Sequence, residues 1–116
     1  MMKKMINDVK FSEEIENIAR IFFRNITSDI ELLEIKFELY SENGDFHLAT
    51  HAENKNKNIP VQIASSDIDK LYEYFSSIRK KCIEKWYIAE LKFYPDCTWN
   101  IEFVYGEIPE VEDDEE

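Results

Sequence analysis

The sequence is poor in the residues that interrupt regular structure, with only two glycines and three prolines among 116 residues. That scarcity argues against a flexible linker or a low-complexity chain. No run of about 18 apolar residues occurs, so the sequence predicts no membrane-spanning helix. Basic residues are also scarce, 14 against 25 acidic ones, which gives a net charge of -11. A chain with this balance lacks the basic surface that binding to nucleic-acid phosphates requires, and it is equally unsuited to an anionic membrane surface.

Two cysteines, Cys82 and Cys97, are too few for a disulfide framework. The first eight residues contain two lysines but no sustained apolar stretch after them, so we expect no signal peptide. We therefore expect a cytoplasmic protein in which both thiols stay reduced.

Two segments carry apolar residues at helical spacing. The first runs to about Asn25 and starts either at Ser12, as an N-cap, or near Lys3. The second starts at Ser66, again as an N-cap. The apolar stripes are Ile15, Ile18, Ala19, Phe22 and Ile26 in the first segment, and Ile68, Leu71, Tyr72, Phe75, Ile78 and Cys82 in the second.

Alternating apolar and polar residues predict a first β-hairpin within residues 33–52. The strands flank Asn43-Gly44, a pair typical of two-residue hairpin turns. Folding the chain there would place Leu39 opposite Leu48, with the apolar residues of both strands on one face. After a polar loop, residues 53–58, a short edge strand containing Val61 and Ile63 follows Pro60.

A second alternating region, residues 86–105, predicts another hairpin. In its first strand Tyr87, Ala89, Leu91 and Phe93 form the apolar series that we expect to face the core. A three-residue loop at positions 95–97 would align Phe93 with Trp99.

The resulting order, α-β-β-β-α-β-β, predicts an α+β fold: an antiparallel sheet of four to five strands with two helices packed on one face. We expect residues 1–106 to form a single domain and residues 107–116, seven of them acidic, to form an acidic C-terminal tail. The residues expected to be buried are Phe37, Leu39, Leu48, Leu71, Phe75, Leu91, Ile101 and Phe103.

Sequence signatures of catalysis are missing. Glycines stand only at positions 44 and 106, so no glycine-rich phosphate loop is possible, and neither Cys-x-x-Cys nor His-Glu-x-x-His occurs. His47 and His51 lie four residues apart on a predicted strand, roughly 13 Å from each other, too far to share one metal ion. We expect no metal, no cofactor and no enzymatic activity.

The second half of the chain resembles a known family. The residues concerned are the helix Asp67–Phe75 continuing into Ile78-Arg79-Lys80, then Trp86, then Ala89-x-Leu91-x-Phe93, and finally Trp99-x-Ile101-x-Phe103-x-Tyr105. This pattern, over roughly residues 66–107, resembles the YezG-type immunity proteins, the antitoxins of bacterial polymorphic toxins. Pro95-Asp96-Cys97 is a departure, because the family tends to have glycine in this turn. The resemblance implies a binding protein that neutralises a toxin domain, commonly a nuclease, and it implies no catalytic residues.

Acidic and aromatic residues on the sheet face away from the helices are the predicted binding site for that toxin, whose surface we expect to be basic. The predicted partner-binding residues are Glu34, Glu38, Tyr40, Glu90, Tyr94 and Glu102, with Glu107 and Glu110 beside them. An acidic adaptor or chaperone-like protein-binding module is the alternative. The acids could also serve solubility alone.

Overall fold

The computed structural model describes residues 3–6, 9–26, 29–96 and 98–108. The helices are α1 (Ser12–Phe23) and α2 (Ser65–Lys81), and a short 3-10 turn (Val9–Phe11) precedes α1. The strands are β1 (Lys3–Ile6), β2 (Leu32–Leu39), β3 (Phe46–Asn54), β4 (Lys57–Ile59), β5 (Trp86–Phe93) and β6 (Trp99–Tyr105). They form one antiparallel sheet in the order β1-β6-β5-β2-β3-β4.

The predicted α+β class and the order of elements from α1 to β6 are confirmed. Both helices pack on the same face, where their apolar stripes share one core with the inward side chains of the sheet. On α2, Phe75 stacks on Phe37 with the ring centroids 4.6 Å apart, and on α1, Phe23 contacts Phe93 edge-on at 5.8 Å. The described chain thus forms one layer of helices on one sheet.

β1 is an additional strand at the sheet edge, where it pairs with β6. A helix starting near Lys3 is therefore wrong, because those residues are extended. The predicted serine caps are also wrong: Ser12 is the first helical residue of α1, and α2 begins at Ser65. Neither helix has a side-chain hydrogen bond at its N-cap.

Two polar contacts join the antiparallel helices, one at each end of the pair. The carboxylate of Glu14, only 5 % exposed, accepts hydrogen bonds from the Lys81 ammonium at 2.8 Å and the Ser77 hydroxyl at 2.6 Å. At the other end, the Arg24 guanidinium donates to Asp67 at 2.5 Å. Each carboxylate is thereby paired, as a nearly buried charge must be.

The register of the first hairpin differs from the prediction by two residues. Leu39 pairs with Phe46 instead of Leu48, because the strands are joined by a longer loop. The Tyr40 amide donates to the Asp45 carbonyl at 2.8 Å, and the Ser41 hydroxyl accepts from the amide of Asn43 at 3.1 Å. A shift of two preserves the faces, since the side-chain period of a strand is two.

The two-residue turn lies instead at Lys55-Asn56, inside the segment predicted to be a polar loop. Both residues have positive φ, 53° and 65°, as a type I′ turn requires. This turn joins β3 to β4, so the predicted strand at Val61 and Ile63 is wrong. These two residues are half-buried in irregular chain that packs against the core.

The second hairpin has the predicted register, with Phe93 paired to Trp99 and Ala89 to Phe103. A bulge between Trp86 and Ile88 interrupts the ladder. Both residues at the bulge are buried in the core: Trp86 is fully buried and stacked on Phe103, and Tyr87, which we expected to face the core, is only 5 % exposed.

All residues predicted to be buried are buried except Leu48. Leu48 is half-buried, because it lies on β3, close to the sheet edge. Ile108 also packs against the core, beyond the predicted domain boundary.

Candidate functional site

The sheet face that points away from both helices, here called the open face, holds most of the predicted binding residues. On β2, alternate residues from Leu33 to Leu39 are buried in the core. Glu34, Lys36 and Glu38 therefore project to the opposite side. The pairing with β5 and β6 brings Glu90 and Glu102 to the same side.

The open face is organised in rows that run across the strands. In the central row, Lys36 pairs with Glu90, and Glu90 pairs with Glu102. A neighbouring row pairs Glu34 with Lys92, whose ammonium lies 3.5 Å from the Glu34 carboxylate. β2 is distant in sequence from the hairpin of β5 and β6, so only the assembled sheet brings the side chains of β2 beside those of the hairpin.

The charge of the open face is mixed, with an acidic excess. It carries five carboxylates and two lysines on the described strands β2 to β6; the carboxylates are those of Glu34, Glu38, Glu53, Glu90 and Glu102. Besides the pair of Glu34 with Lys92, the Lys36 ammonium lies 4.0 Å from Glu38. Half-exposed pairs of this kind contribute little to stability. Five carboxylates against two lysines leave these strands with an excess of negative charge on the open face.

Aromatic residues stand at opposite ends of the open face. Tyr40, 45 % exposed, follows β2, and its ring lies 6.4 Å from that of His47. Tyr94 follows β5, and its hydroxyl accepts a hydrogen bond from the Asn100 amide at 3.3 Å. Because β2 and β5 are antiparallel, the two tyrosines flank the acidic rows from both sides.

The last two predicted residues lie beyond β6. Glu107 is exposed just after Gly106, whose amide donates to the Lys85 carbonyl at 3.0 Å. Glu107 thus lies beside the start of β5 and not among the cross-strand rows. Glu110 lies outside the described residues.

Lys36 and Lys92 belong to the open face but were not among the predicted residues. The sequence pattern could have identified both lysines, since each alternates with acids at positions that project away from the core. Ile88 and Val104, paired on β5 and β6, add an apolar patch to the same face. Val104 is only 7 % exposed, although the alternation of β6 places it on the open face with Asn100 and Glu102.

The helix side carries a separate concavity of about 830 Å³ between α1 and the end of the second hairpin. Its apolar lining includes Phe23, which is 41 % exposed, together with Phe93, Ile30 and half-buried Trp99. Sequence reasoning missed this groove, because it forms between residues whose separation in the chain exceeds any helical or strand period.

Groups that could hold a metal ion are not present in the described part of the chain, where no three His, Cys, Asp or Glu side chains cluster. His47 and His51 are both exposed on β3, and the His51 imidazole lies 3.7 Å from Glu53. None of the described helices combines the length and the apolar content needed to cross a membrane.

Neither a protein-family model nor a curated protein matches the chain. The resemblance to the YezG-type immunity proteins therefore stays a prediction that rests on the residues quoted for it.

Proposed function

We propose that this protein is an immunity protein that binds a cognate bacterial toxin domain and neutralises it in the cytoplasm. The toxin is a nuclease with a basic active-site surface, and the immunity protein blocks that surface by covering it. The observation that carries the proposal is the open face, an acidic surface with aromatic flanks that no described helix covers.

The construction of the open face favours binding. Four of its five carboxylates stand on the three strands β2, β5 and β6, so their backbone is already ordered before a partner arrives. Ordering costs upon association are therefore confined to side chains. Tyr40 and Tyr94 supply large, rigid contact area of the kind that often dominates binding energy.

Electrostatics suit a nuclease as the partner. A surface that binds phosphates must be basic, and an acidic protein can compete for it with the charge of the natural substrate. Opposite charges also accelerate encounter, which matters for an inhibitor that must act before its target does damage. The net charge of -11 provides this attraction at long range.

Lys36 and Lys92 restrict which basic surface fits. Each lysine lies within the acidic rows, so a partner must offer a carboxylate or an uncharged cleft opposite it. A surface with cations at those points would meet like charges, which costs affinity. This arrangement supports a specific partner over general attraction to basic proteins.

An acidic adaptor or chaperone-like module remains the second candidate, since the same face could bind a harmless partner. The two functions differ in the identity of the partner and in the result of removing the protein. An immunity gene is expected directly downstream of a large toxin gene, and its loss exposes the cell to that toxin.

Coexpression tests the proposal. The last domain of the protein encoded directly upstream is expressed from an inducible promoter in bacteria, with or without this chain. We expect growth arrest without the chain and growth with it, while a catalytically inactive toxin domain serves as control. Arrest that persists although the folded chain accumulates would contradict the proposal, and a harmless upstream domain that binds the chain would favour the adaptor.

A further inference from the structure

One long edge of the sheet has no partner strand in the described structure. Strand β3 pairs with β2 along its length, but β4 covers only Ala52, Glu53 and Asn54 on the other side. Residues 46–51 therefore pair with a neighbouring strand on one side only. Such an edge offers a row of backbone donors and acceptors to another strand.

The alternation of hydrogen bonds along the sheet shows which residues of β3 direct their backbone N–H and C=O groups away from β2. The Tyr40 amide donates to Asp45 within the register that pairs β2 with β3, so odd-numbered residues of β3 bond to β2. The bond from Tyr94 to Thr98 gives the same parity when carried across β5. Even-numbered Phe46, Leu48 and Thr50 thus direct their N–H and C=O groups away from the sheet.

This edge lacks the features that usually prevent pairing. The segment Phe46-His47-Leu48-Ala49-Thr50-His51 contains no proline, no lysine and no acid. The opposite edge, β1, has two lysines in four residues. Phe46 and Leu48 are only half-buried, although both are large and apolar, so a neighbouring strand would cover more of them.

We propose that β3 pairs antiparallel with β3 of a second copy, about a two-fold axis at Leu48. Leu48 then lies opposite its own copy, and Phe46 opposite Thr50 of the second chain, an aromatic with a β-branched residue. On the open face His47 meets Ala49, and Asp45 meets His51, which can donate a hydrogen bond to it. No two like charges face each other.

A two-fold axis at Ala49 is the nearest alternative that keeps both faces matched, and it fits less well. It would bring Phe46 opposite Ala52, whose outward groups already pair with Ile59 of β4. It would also place His47 opposite His51. The register at Leu48 forms about six interchain backbone hydrogen bonds and the alternative about four, since outward residues bond in pairs.

The dimer joins the two sheets into one. Since the axis is perpendicular to the sheet, all four helices lie on one side and both open faces on the other. The two acidic surfaces become continuous. The proposed dimer follows from the backbone geometry of the β3 edge and does not depend on what the open face binds.

Light scattering coupled to size-exclusion chromatography tests the dimer with the full chain, from micromolar to millimolar concentration. We expect wild type to approach twice the mass of one chain as concentration rises. Thr50→Pro removes an outward N–H without touching the β2 ladder and should halve the mass, while Thr50→Ala keeps the amide and should remain dimeric. A monomeric wild type at all concentrations would overturn the proposal and leave this edge to a strand of another protein.

Disulfide trapping checks the register if Thr50→Pro fails to fold. In a Cys82→Ala, Cys97→Ala background, the pair His47→Cys and Ala49→Cys places thiols on opposed residues of the two chains, at a separation that suits a disulfide. We expect a covalent dimer under oxidation. Ala49→Cys alone should stay monomeric on a non-reducing gel, and a covalent dimer from that single variant would show the Ala49 axis instead.

Discussion

Phe75 contributes to stability as a single residue at the centre of the core. Its side chain has no exposed surface and stacks on Phe37, so truncation leaves a cavity between α2 and β2. We expect Phe75→Ala to lower the free energy of unfolding by about 3–5 kcal/mol. Ile83→Ala, at a side chain that is 99 % exposed, should change it by about 0.5 kcal/mol or less. Urea denaturation of the three chains measures both, and equal effects would contradict the assigned core.

Glu14 connects stability to pH. Burial raises the pKa of this carboxyl, but hydrogen bonds from Lys81 and Ser77 outweigh burial, so the net pKa lies below its ordinary value of 4.5. The unfolded chain therefore binds the proton more readily than the folded one. The stabilisation from Glu14 is present above about pH 4.5 and is lost as the pH falls towards the lowered pKa.

We expect Glu14→Gln to cost about 1–3 kcal/mol at neutral pH, because it weakens hydrogen bonds to a charged group. The difference from wild type should shrink as the pH falls from about 4.5 towards the lowered pKa of Glu14, because the wild-type carboxyl becomes protonated. Urea unfolding at a series of pH values measures the difference in free energy of unfolding between the two chains. Glu13→Gln, at an exposed neighbour, is the control and should change the free energy of unfolding by about 0.5 kcal/mol or less. A Glu14 difference that stays constant over this range would refute the ion pair.

At the scale of elements, alternation in the sequence predicts faces but not registers. The register of the first hairpin was wrong by two because Ser41 hydrogen-bonds to the amides of Asn43 and Asp45 and stabilises a longer loop. A shift of two leaves every side chain on its own face, so the hydrophobic pattern could not reveal it. The register of the second hairpin was correct because the Tyr94 amide donates to the Thr98 carbonyl and closes the three-residue loop that the prediction assumed.

Substitution of Gly44 tests the conformation of the longer loop that joins β2 to β3. Its φ of +102° strains any other residue, and an added Cβ would lie 3.0 Å from the Tyr72 hydroxyl. We expect Gly44→Ala to destabilise the protein by about 1 kcal/mol or more. In a Tyr72→Phe background the cost should fall but not vanish, since the contact is relieved and the strained φ remains. A neutral Gly44→Ala would contradict this loop conformation.

At the scale of the whole molecule, part of the candidate site was predictable. The sequence placed Glu34, Glu38, Glu90 and Glu102 on one face because each alternates with core residues. It could not give their neighbours across strands, because β2 and β5 are separated by a helix and two strands. The pair of Lys92 with Glu34 follows only from the assembled sheet.

Binding kinetics with the toxin domain of the upstream gene test most directly whether the open face binds. Wild type is compared with Glu38→Lys, Glu90→Lys on the open face and with Glu16→Lys, Glu73→Lys on the exposed helix surfaces. Both double variants change the net charge equally, so long-range steering should slow association similarly in the two. A chain ending at Val111, which lacks five acids, should also associate more slowly.

The dissociation rate separates the two surfaces. We expect Glu38→Lys, Glu90→Lys to dissociate at least about tenfold faster than wild type, because contacts in the interface govern that rate. The helix-surface variant and the shortened chain should dissociate at nearly the wild-type rate. If the open-face variant dissociates as slowly as wild type while the shortened chain loses binding, the open face is not the binding site.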